Sequence, residues 1–362
     1  MICDKIVCIN EIPKEEYKLF FGDTGHITRS DKVTYPAFQK LYEKAFADFW
    51  TWKVVNFKQD AVGWEKLEEK AKRAFLLNLA YQTTMDSGVY SEYFYFLKFV
   101  SNSELAILYS MIGLEEVIHA ASYSYGLAQM FGANTDDKFN IIYNDPFIKH
   151  RLDAEIDFSS EVMRLEKYKD EEKLKLPLLK SIVATLFLEK VKFPNSFYVT
   201  WSINDYYDFA IQGFSQLLKE IAFDELTTHV PTNIQVLNIL MSEKRQGFIH
   251  LKDELVEFIY SYVKQGIKKE DEWIDYLLSE GEFGNLTKES MKYFVRYQAD
   301  DMLRQLKLKP IYNVKHSNLI TWFKGYYNIN NQNNANQELS NISYRKGVVK
   351  NDLYLLDKLK GE

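Results

Sequence analysis

Two short stretches of this 362-residue chain combine carboxylates and histidines at spacings that suit metal binding. Glu116 and His119 lie three residues apart in LEEVIHAASY, and Glu225 and His229 lie four apart in LLKEIAFDELTTH. Side chains three or four residues apart project from one face of a helix, so each pair could hold one ion. Either match alone is weak, because a chance Glu-x-x-His is common in a chain of this composition.

The surroundings of these pairs strengthen the metal interpretation. Both lie in apolar segments, where a carboxylate is costly to bury unless it is paired or bound to metal. Asp86 in LLNLAYQTTMDSG and Glu189 in SIVATLFLEKVKF are carboxylates in similar settings. Four helices would then supply four carboxylates and two histidines. This set suits two iron or manganese ions in a four-helix core, and the metal charge would balance the carboxylates.

Tyr123 follows His119 by four residues, so the phenol lies one helical turn further along the same face. A phenol close to an oxidised metal pair can be oxidised to a radical. The chain contains 25 tyrosines, however, and the spacing alone fits an ordinary core tyrosine equally well.

The elements that must position these residues are helices. Apolar residues recur with helical periodicity, and alternating strand patterns are nearly absent. The segment 145–152 reads as a connector, with Asp145-Pro146 as a helix stop, and the polar, Asn-rich sequence beyond about 323 predicts a flexible tail. The periodicity predicts helices at 36–54, 63–98, 102–131, 153–168, 173–204, 207–230, 233–241, 246–264, 268–280 and 287–306.

Composition argues against a nucleic-acid-binding protein and against a membrane-spanning one. A net charge of -6 gives no basic surface for nucleic acid, and no charge-free apolar run reaches the ~18 residues of a membrane span. The N-terminal stretch MICDKIVCINEIPKEEY has no signal-peptide pattern, and Cys3 and Cys8 predict neither a disulfide framework nor a cysteine metal site. These features predict a cytoplasmic protein.

The sequence around these residues resembles one enzyme family. Glu116-x-x-His119-x-x-x-Tyr123 is similar to the radical-tyrosine helix of the small subunit of class I ribonucleotide reductase. YQTTMDS, LEKVKF and GFSQLLKEIAFDE resemble that family's other ligand helices, and the similarity extends from about residue 20 to the C-terminus. The resemblance implies an all-α, ferritin-like helical bundle with a dinuclear metal site in a four-helix core.

The resemblance also implies a division of the chain and a role for individual residues. Residues 1–25 would form an N-terminal arm, 26–322 the radical-generating domain and 323–362 a flexible tail that binds the large subunit. The implied metal ligands are Asp86, Glu116, His119, Glu189, Glu225 and His229. Tyr123 would carry a stable radical, shielded by Phe193, Phe197 and Ile221, and Trp50, Asp224 and Tyr344 would transfer it.

The implied activity is that of a ribonucleoside-diphosphate reductase beta subunit. A dimetal centre that has reacted with O2 would make the tyrosyl radical, and the large subunit would use it to reduce ribonucleotides to deoxyribonucleotides. Iron that assembles with O2 is the expected metal, with manganese and a flavoprotein activator as the alternative. The family further implies a homodimer and docking of the terminal LYLLDKLKGE segment on the large subunit.

The chain departs from the family pattern in two places. Glu225-Leu-Thr-Thr-His229 has one residue more than the usual Glu-x-x-His, so alignment forward from Gly213 selects Glu225, which we favour, and alignment back from His229 selects Leu226. A local π-bulge would absorb the extra residue. After Glu189, Pro194 must disturb its helix, and Lys190 and Lys192 are expected to be exposed or to snorkel. Glu115 is expected to face outward or into a neighbouring salt bridge.

Two other functions share part of this pattern. A ferritin-like dimetal oxidase or oxygenase would act on a small substrate directly and would need no radical-transfer residues. An iron store or a helical scaffold would need neither Tyr123 nor the tail. The joint presence of Trp50, Asp224, Tyr123 and Tyr344 favours the reductase.

Overall fold

The computed structural model describes residues 17–22, 28, 31–168 and 170–327. Within these ranges every regular element is helical, and β-type pairing is limited to the isolated bridges Phe20–Val100 and Phe283–Leu286. The all-α class predicted from periodicity is therefore confirmed.

Thirteen α-helices follow one another along the described ranges. They are α1 (Pro36–Asp48), α2 (Lys58–Trp64), α3 (Glu69–Phe96), α4 (Ser103–Phe131), α5 (Thr135–Asn144), α6 (Pro146–Glu166), α7 (Glu171–Phe187), α8 (Phe193–Tyr206), α9 (Gln212–Asp224), α10 (Val230–Leu240), α11 (Lys252–Leu277), α12 (Lys288–Gln305) and α13 (Asn318–Tyr327). Short π-helical segments join α7 to α8 (Leu188–Lys192) and α9 to α10 (Glu225–His229).

Four long helical units form the core that positions the site: α3, α4, α7 continued through its π-helical segment into α8, and α9 continued through its π-helical segment into α10. α3 packs along α4, α8 packs on α3, and α9 packs on both α4 and α8, while α7 packs against α10. The interior contains large rings such as Phe75, Phe214 and Trp201, each fully buried. Burial of this apolar surface is the main stabilising contribution to the bundle.

Helix α4 is the most apolar of these units. By length and composition alone it could cross a membrane, but most of its apolar stretch is buried inside the protein. Its buried face carries Glu116, His119 and Tyr123, each fully inaccessible to solvent. The apolar composition of α4 is therefore accounted for by its place in the bundle core.

Both π-helical segments end just before a helix with proline at its second position, Pro194 in α8 and Pro231 in α10. Proline has no N–H to donate to the carbonyl four residues earlier, and its ring clashes with that carbonyl. A turn widened to π geometry relieves this conflict and takes up one extra residue. The predicted π-bulge at Glu225–His229 is confirmed, and the disturbance expected from Pro194 takes the same form.

Several element predictions are wrong. The segment 145–152 is not a connector, because α6 begins at Pro146 and Asp145 caps it by accepting the N–H groups of Phe147 and Ile148. The break predicted between 264 and 268 does not exist, because Gly266 lies inside α11 against the ring of Phe187. Helices α5 and α13 lie where no helix was predicted.

Candidate metal centre

The bundle brings the carboxylates and histidines of four helical units to one place. Asp86 comes from α3, Glu116 and His119 from α4, and Glu189 and Glu225 from the two π-helical segments. Ligand atoms of Asp86, Glu116 and His119 lie within 4.8 Å of one another, and so do those of Glu116, Glu189 and His229. Glu116 belongs to both groups, as expected of a carboxylate between two ions.

The unsatisfied polar atoms of this cluster match what a metal pair requires. Both carboxylate oxygens of Asp86, Glu116 and Glu225 are buried without a hydrogen-bond partner, and so are Nδ1 of His119 and Nδ1 of His229. Buried polar groups almost always have a hydrogen-bond partner. The presence of so many unpartnered atoms in one cluster therefore needs an explanation. Oxygen and imidazole nitrogen ligands suit iron and manganese, and these residues therefore fit a dinuclear centre.

The two histidines are oriented in the same way. Nδ1 of His119 lies 3.5 Å from Glu116 Oε2, and Nδ1 of His229 lies 3.1 Å from Glu116 Oε1. On the opposite side, His119 Nε2 is 3.2 Å from Asp224 Oδ2, and His229 Nε2 is 2.9 Å from Glu115 Oε2. A carboxylate that accepts the Nε2–H proton leaves Nδ1 with its lone pair toward the centre.

The electrostatics show why these groups need a cation. Burial raises the pKa of Asp86 and Glu225, and the charge of Glu116 raises both further. Burial opposes ionisation of Glu116 too, but the two histidines that face its carboxylate hold its pKa at about 2. Burial disfavours the charged form of His119, yet Asp224 and Glu116 raise its pKa to about 10. A metal pair would replace these protons as the source of positive charge.

The π-helical segment decides which residue of the fourth unit faces the cluster. Glu225 is fully buried, and its carboxyl lies close enough to Asp86, Glu116 and Glu189 for their charges to raise its pKa. Leu226 is only partly buried and packs against the apolar core. The forward alignment that selected Glu225 is thus the one that matches the geometry.

Tyr123 lies at the Asp86 side of the cluster. Its ring is fully buried, and its hydroxyl makes no standard hydrogen bond. Burial raises the pKa of the phenol, and the nearby charges of Asp86 and Glu225 raise it further. The three residues predicted to shield it, Phe193, Phe197 and Ile221, are all completely buried, with the two phenylalanine rings stacked at 6.2 Å.

Trp50 joins the cluster from outside the four helical units. Its indole Nε1 donates to Asp224 Oδ2 at 2.6 Å, and the same oxygen lies 3.2 Å from His119 Nε2. The indole also stacks on the His119 ring, with centroids 6.0 Å apart. The structure therefore brings Trp50 and Asp224 together with the candidate ligand His119. Tyr344 and the C-terminal peptide lie outside the described residues.

Sequence reasoning missed two residues of the inner site and left a third open. Of the two alternatives for Glu115, facing outward is wrong, because its carboxylate is buried and pairs with His229. Tyr93 donates to Glu189 Oε1 at 2.8 Å, and Asn233 donates to the Tyr93 hydroxyl at 2.8 Å. A signal was available for both, because Tyr93 is seven residues after Asp86 and Asn233 four after His229, each on a ligand-bearing face.

The two lysines near Glu189 were expected to be exposed or to snorkel, and neither is exposed. Lys190 and Lys192 are 8% and 4% exposed, respectively. The ammonium of Lys190 forms an ion pair with Asp301 on α12 at 2.7 Å. That of Lys192 lies 5.8 Å from the Phe187 ring centroid. The ion pair with Asp301 offsets the cost of burying the Lys190 ammonium. A buried lysine usually has such a partner.

Comparisons with known proteins agree with this arrangement. The family model described as ribonucleotide reductase, small chain, matches residues 30–318. The ribonucleoside-diphosphate reductase subunit beta of Buchnera aphidicola subsp. Schizaphis graminum is 26% identical over 358 residues, covering 92% of this chain and 93% of that protein.

Solved structures show the same fold. The ribonucleotide reductase R2 subunit from Clostridium botulinum superimposes with a TM-score of 0.76 at 20% identity, covering 86% of this chain and 94% of that one. The dimanganese(II)-NrdF of Streptococcus sanguinis gives a TM-score of 0.65 at 18% identity, covering 83% and 99%. The ferritin-like bundle and the family predicted from the sequence are confirmed. The chain belongs to the ribonucleotide reductase small-chain family, whose known role is to supply a tyrosyl radical for the reduction of ribonucleotides.

Proposed function

We propose that this chain generates a radical on Tyr123 and passes it to a separate large subunit that reduces ribonucleoside diphosphates. The observation that carries this proposal is the hydrogen-bonded link from Trp50 through Asp224 to His119. An oxygenase that acts at its own metal site, or an iron store, has no use for such a link. Family membership and the names of the beta-subunit relatives support the same reaction.

The metal in this proposal is a pair of iron ions. Asp86 and His119 would bind one ion and Glu189 and His229 the other, with Glu116 between them and Glu225 completing the set. When bound and oxidised by O2, the pair supplies the one-electron oxidation of a tyrosine. Manganese, which the Streptococcus sanguinis protein holds, has similar ligand preferences and is the alternative that the experiment below distinguishes.

The side chains of the protein would control where the radical resides. The dry surroundings of Tyr123 keep water and external reductants away from the phenol. Asp224 Oδ2 accepts the N–H of Trp50 and faces His119 Nε2, so a proton leaving the indole has an acceptor at 2.6 Å when its electron moves. Electron and proton can then leave Trp50 together, which avoids a bare charge in a low-dielectric interior.

The partners follow from the same proposal. We propose that the tail, with Tyr344 and LYLLDKLKGE, reaches the large subunit, and that α13 extends the central domain to Tyr327. A second copy of the chain would cover an apolar face formed by Phe94 on α3 and by Leu114 and Val117 on α4, which are 45%, 41% and 37% exposed. A cytoplasmic location without membrane or nucleic-acid contact completes the proposal.

The first experiment tests radical formation. Apo-protein is loaded with Fe(II), exposed to O2 and examined by EPR beside a metal count, with Tyr123→Phe as control. A tyrosyl signal that the substitution removes is expected. A radical that forms only with Mn(II) and a flavoprotein activator would contradict the iron assignment. Absence of a radical with either metal would contradict the proposed function.

The second experiment tests radical transfer. Trp50→Phe should retain the tyrosyl signal but lose ribonucleotide reduction with the large subunit, because phenylalanine cannot donate to Asp224 or be oxidised as easily. Trp52→Phe, in the same segment but outside the link, is the matched control. Full turnover in Trp50→Phe would exclude this route.

The dimer has its own test. Leu114→Glu places a charge on the proposed face and should shift the protein toward monomer in light scattering. Val62→Glu, on α2 at a residue that is 66% exposed, is the control for an added surface charge. A dimer that survives Leu114→Glu would place the interface elsewhere.

A further inference from the structure

A second buried tyrosine contacts the candidate metal centre on the side opposite Tyr123. Tyr93 lies on α3 two helical turns after Asp86 and is fully buried. Its hydroxyl donates to Glu189 Oε1 at 2.8 Å. Tyr123 thus lies beside the group formed by Asp86, Glu116 and His119, whereas Tyr93 contacts the group that contains Glu189.

The hydrogen bonds of Tyr93 are complete. Its hydroxyl donates to Glu189 and accepts from Asn233 Nδ2 at 2.8 Å. Asn233 is held in turn by Tyr109, whose hydroxyl donates to Asn233 Oδ1 at 3.3 Å. The phenol oxygen therefore has both an acceptor for its proton and a donor that can stabilise the oxygen after the proton has left.

The ring of Tyr93 is enclosed by other rings. Tyr109 lies 5.3 Å away, Phe96 6.2 Å and His229 6.3 Å between centroids, and the first two are completely buried. Any hydrogen-bond donor could orient Glu189, and an orienting role would not require a phenol. A phenol that is shielded from solvent and bonded directly to a ligand carboxylate has, in addition, the conditions for one-electron oxidation.

We propose that Tyr93 is a second oxidisable tyrosine of the metal centre, used when Tyr123 cannot supply the electron. In this step one electron passes from the phenol to the oxidised metal pair, and the hydroxyl proton passes to Glu189 Oε1. The products are a neutral phenoxyl radical, a metal pair reduced by one electron and a protonated Glu189. The inference rests on the proposed function, because O2 and the metal pair supply the oxidant.

The test removes Tyr123 and asks which tyrosine is oxidised. Fe(II)-loaded Tyr123→Phe is mixed with O2, freeze-quenched and examined by EPR, with ring-deuterated tyrosine identifying a tyrosyl signal. We expect a tyrosyl signal in Tyr123→Phe that falls to background when Tyr93→Phe is added. Adding Tyr198→Phe instead is the matched control, because Tyr198 is also fully buried but hydrogen-bonds Asn285 and Ser290, and the signal should persist there.

The outcomes separate the two proposals. Absence of any radical in the wild-type protein would overturn the proposed function, whereas a wild-type radical with no tyrosyl signal in Tyr123→Phe would overturn only the inference about Tyr93. Persistence of the signal in the Tyr123→Phe/Tyr93→Phe variant would also overturn it.

A second measurement keeps Tyr93 in place, in case its substitution reduces the metal count. In Tyr123→Phe, the radical should show a hyperfine coupling to an exchangeable proton from the Asn233 amide, measured by ENDOR in H2O and D2O. Asn233→Leu should remove this coupling. An unchanged coupling would assign the radical to another tyrosine.

Discussion

The histidines of the centre are each held between the metal-facing carboxylates and one outer carboxylate, and the two outer partners are not equivalent. Asp224 also binds Trp50, whereas Glu115 is bonded to His229 alone among the contacts in the described structure. Asp224 therefore links His119 to the indole of Trp50. Glu115 is positioned only to fix the tautomer and orientation of His229, which makes it a positioning residue.

This difference gives a prediction for Glu115. Glu115→Gln removes the charge that favours the Nε2–H tautomer of His229, and metal affinity should fall about 10- to 100-fold. The measurement is competition for Mn(II) against a chelator. Glu172→Gln is the matched control, because Glu172 Oε1 bonds His250 Nε2 at 2.7 Å on the exposed surface, away from any ligand. Equal affinity in wild type and Glu115→Gln would exclude the positioning role.

The residues of the site differ in how far the sequence could predict them. Glu116 and His119 carry a spacing that indicates one face of α4, and His229 has a similar spacing from Glu225. Glu115 lies in the same apolar segment as Glu116, and only the packing of the fourth unit beside α4 shows that it faces inward. Tyr93 is one of 25 tyrosines, and its spacing from Asp86 places it on the same face of α3, but only the packing of α3 next to Glu189 shows that it contacts the site.

At the level of elements, the approach of α2 to the turn before α9 depends on one glycine. A Cβ at Gly63 would lie 1.7 Å from the carbonyl oxygen of Ala210, a backbone atom that cannot move alone. Gly63→Ala should therefore lower the free energy of unfolding by about 3 kcal/mol or more. Gly88→Ala, in the middle of α3 with no atom within 4 Å of its Cβ, should raise it by about 0.5–1 kcal/mol. Urea unfolding of both variants measures this, and similar stabilities would contradict it.

The start of α9 depends on a buried carboxylate. Asp60 on α2 accepts the N–H groups of Gly213 and Phe214, each at 2.8 Å, and so caps the helix that carries Asp224. Burial raises the pKa of Asp60 from 3.8 to about 6, although these two hydrogen bonds act in the opposite direction. The folded protein therefore binds this proton more tightly than the unfolded chain does.

The sign of the resulting pH dependence follows from linkage. The contribution of Asp60 to the free energy of unfolding is greatest below about pH 4 and decreases by at most about 3 kcal/mol as the pH rises to about 6. Asp60→Asn does not titrate, so the stability difference between wild type and variant should decrease over this interval. Urea unfolding of metal-free protein from pH 4 to 7 measures it. A difference that is independent of pH would contradict the raised pKa.

The elements themselves were predictable where local signals agreed with packing. Helix α4 was placed to within one residue at its start because its cap, Asn102, and its long apolar run agree. α13 was missed because its sequence is a weak helix former. Its residues Trp322 and Tyr326 both hydrogen-bond Asp205, and Tyr326 stacks on Trp201, so tertiary contacts decide its structure.

For the molecule as a whole, the metal pair of the proposed function would be both the reactive group and a large stabilising ligand. The fold concentrates six ionisable side chains in a dry interior, and in the metal-free protein burial raises the pKa of Asp86, Glu189 and Glu225. Because the site exists only when the four helical units are assembled, metal binding energy is also folding energy. Metal should therefore stabilise the entire bundle and not one helix.

The shared position of Glu116 makes this testable on the whole protein. At a free Mn(II) concentration of about 100 times Kd, one site stabilises the fold by about 2.7 kcal/mol. Mn(II) should thus raise the Tm of the wild-type protein. Glu189→Gln leaves the group of Asp86, Glu116 and His119 intact and should keep part of the increase. Glu116→Gln damages both groups and should lose nearly all of it. An equal increase in Tm in Glu116→Gln and wild type would mean that Glu116 is not shared by the two ions, and the site would then need a different ligand set.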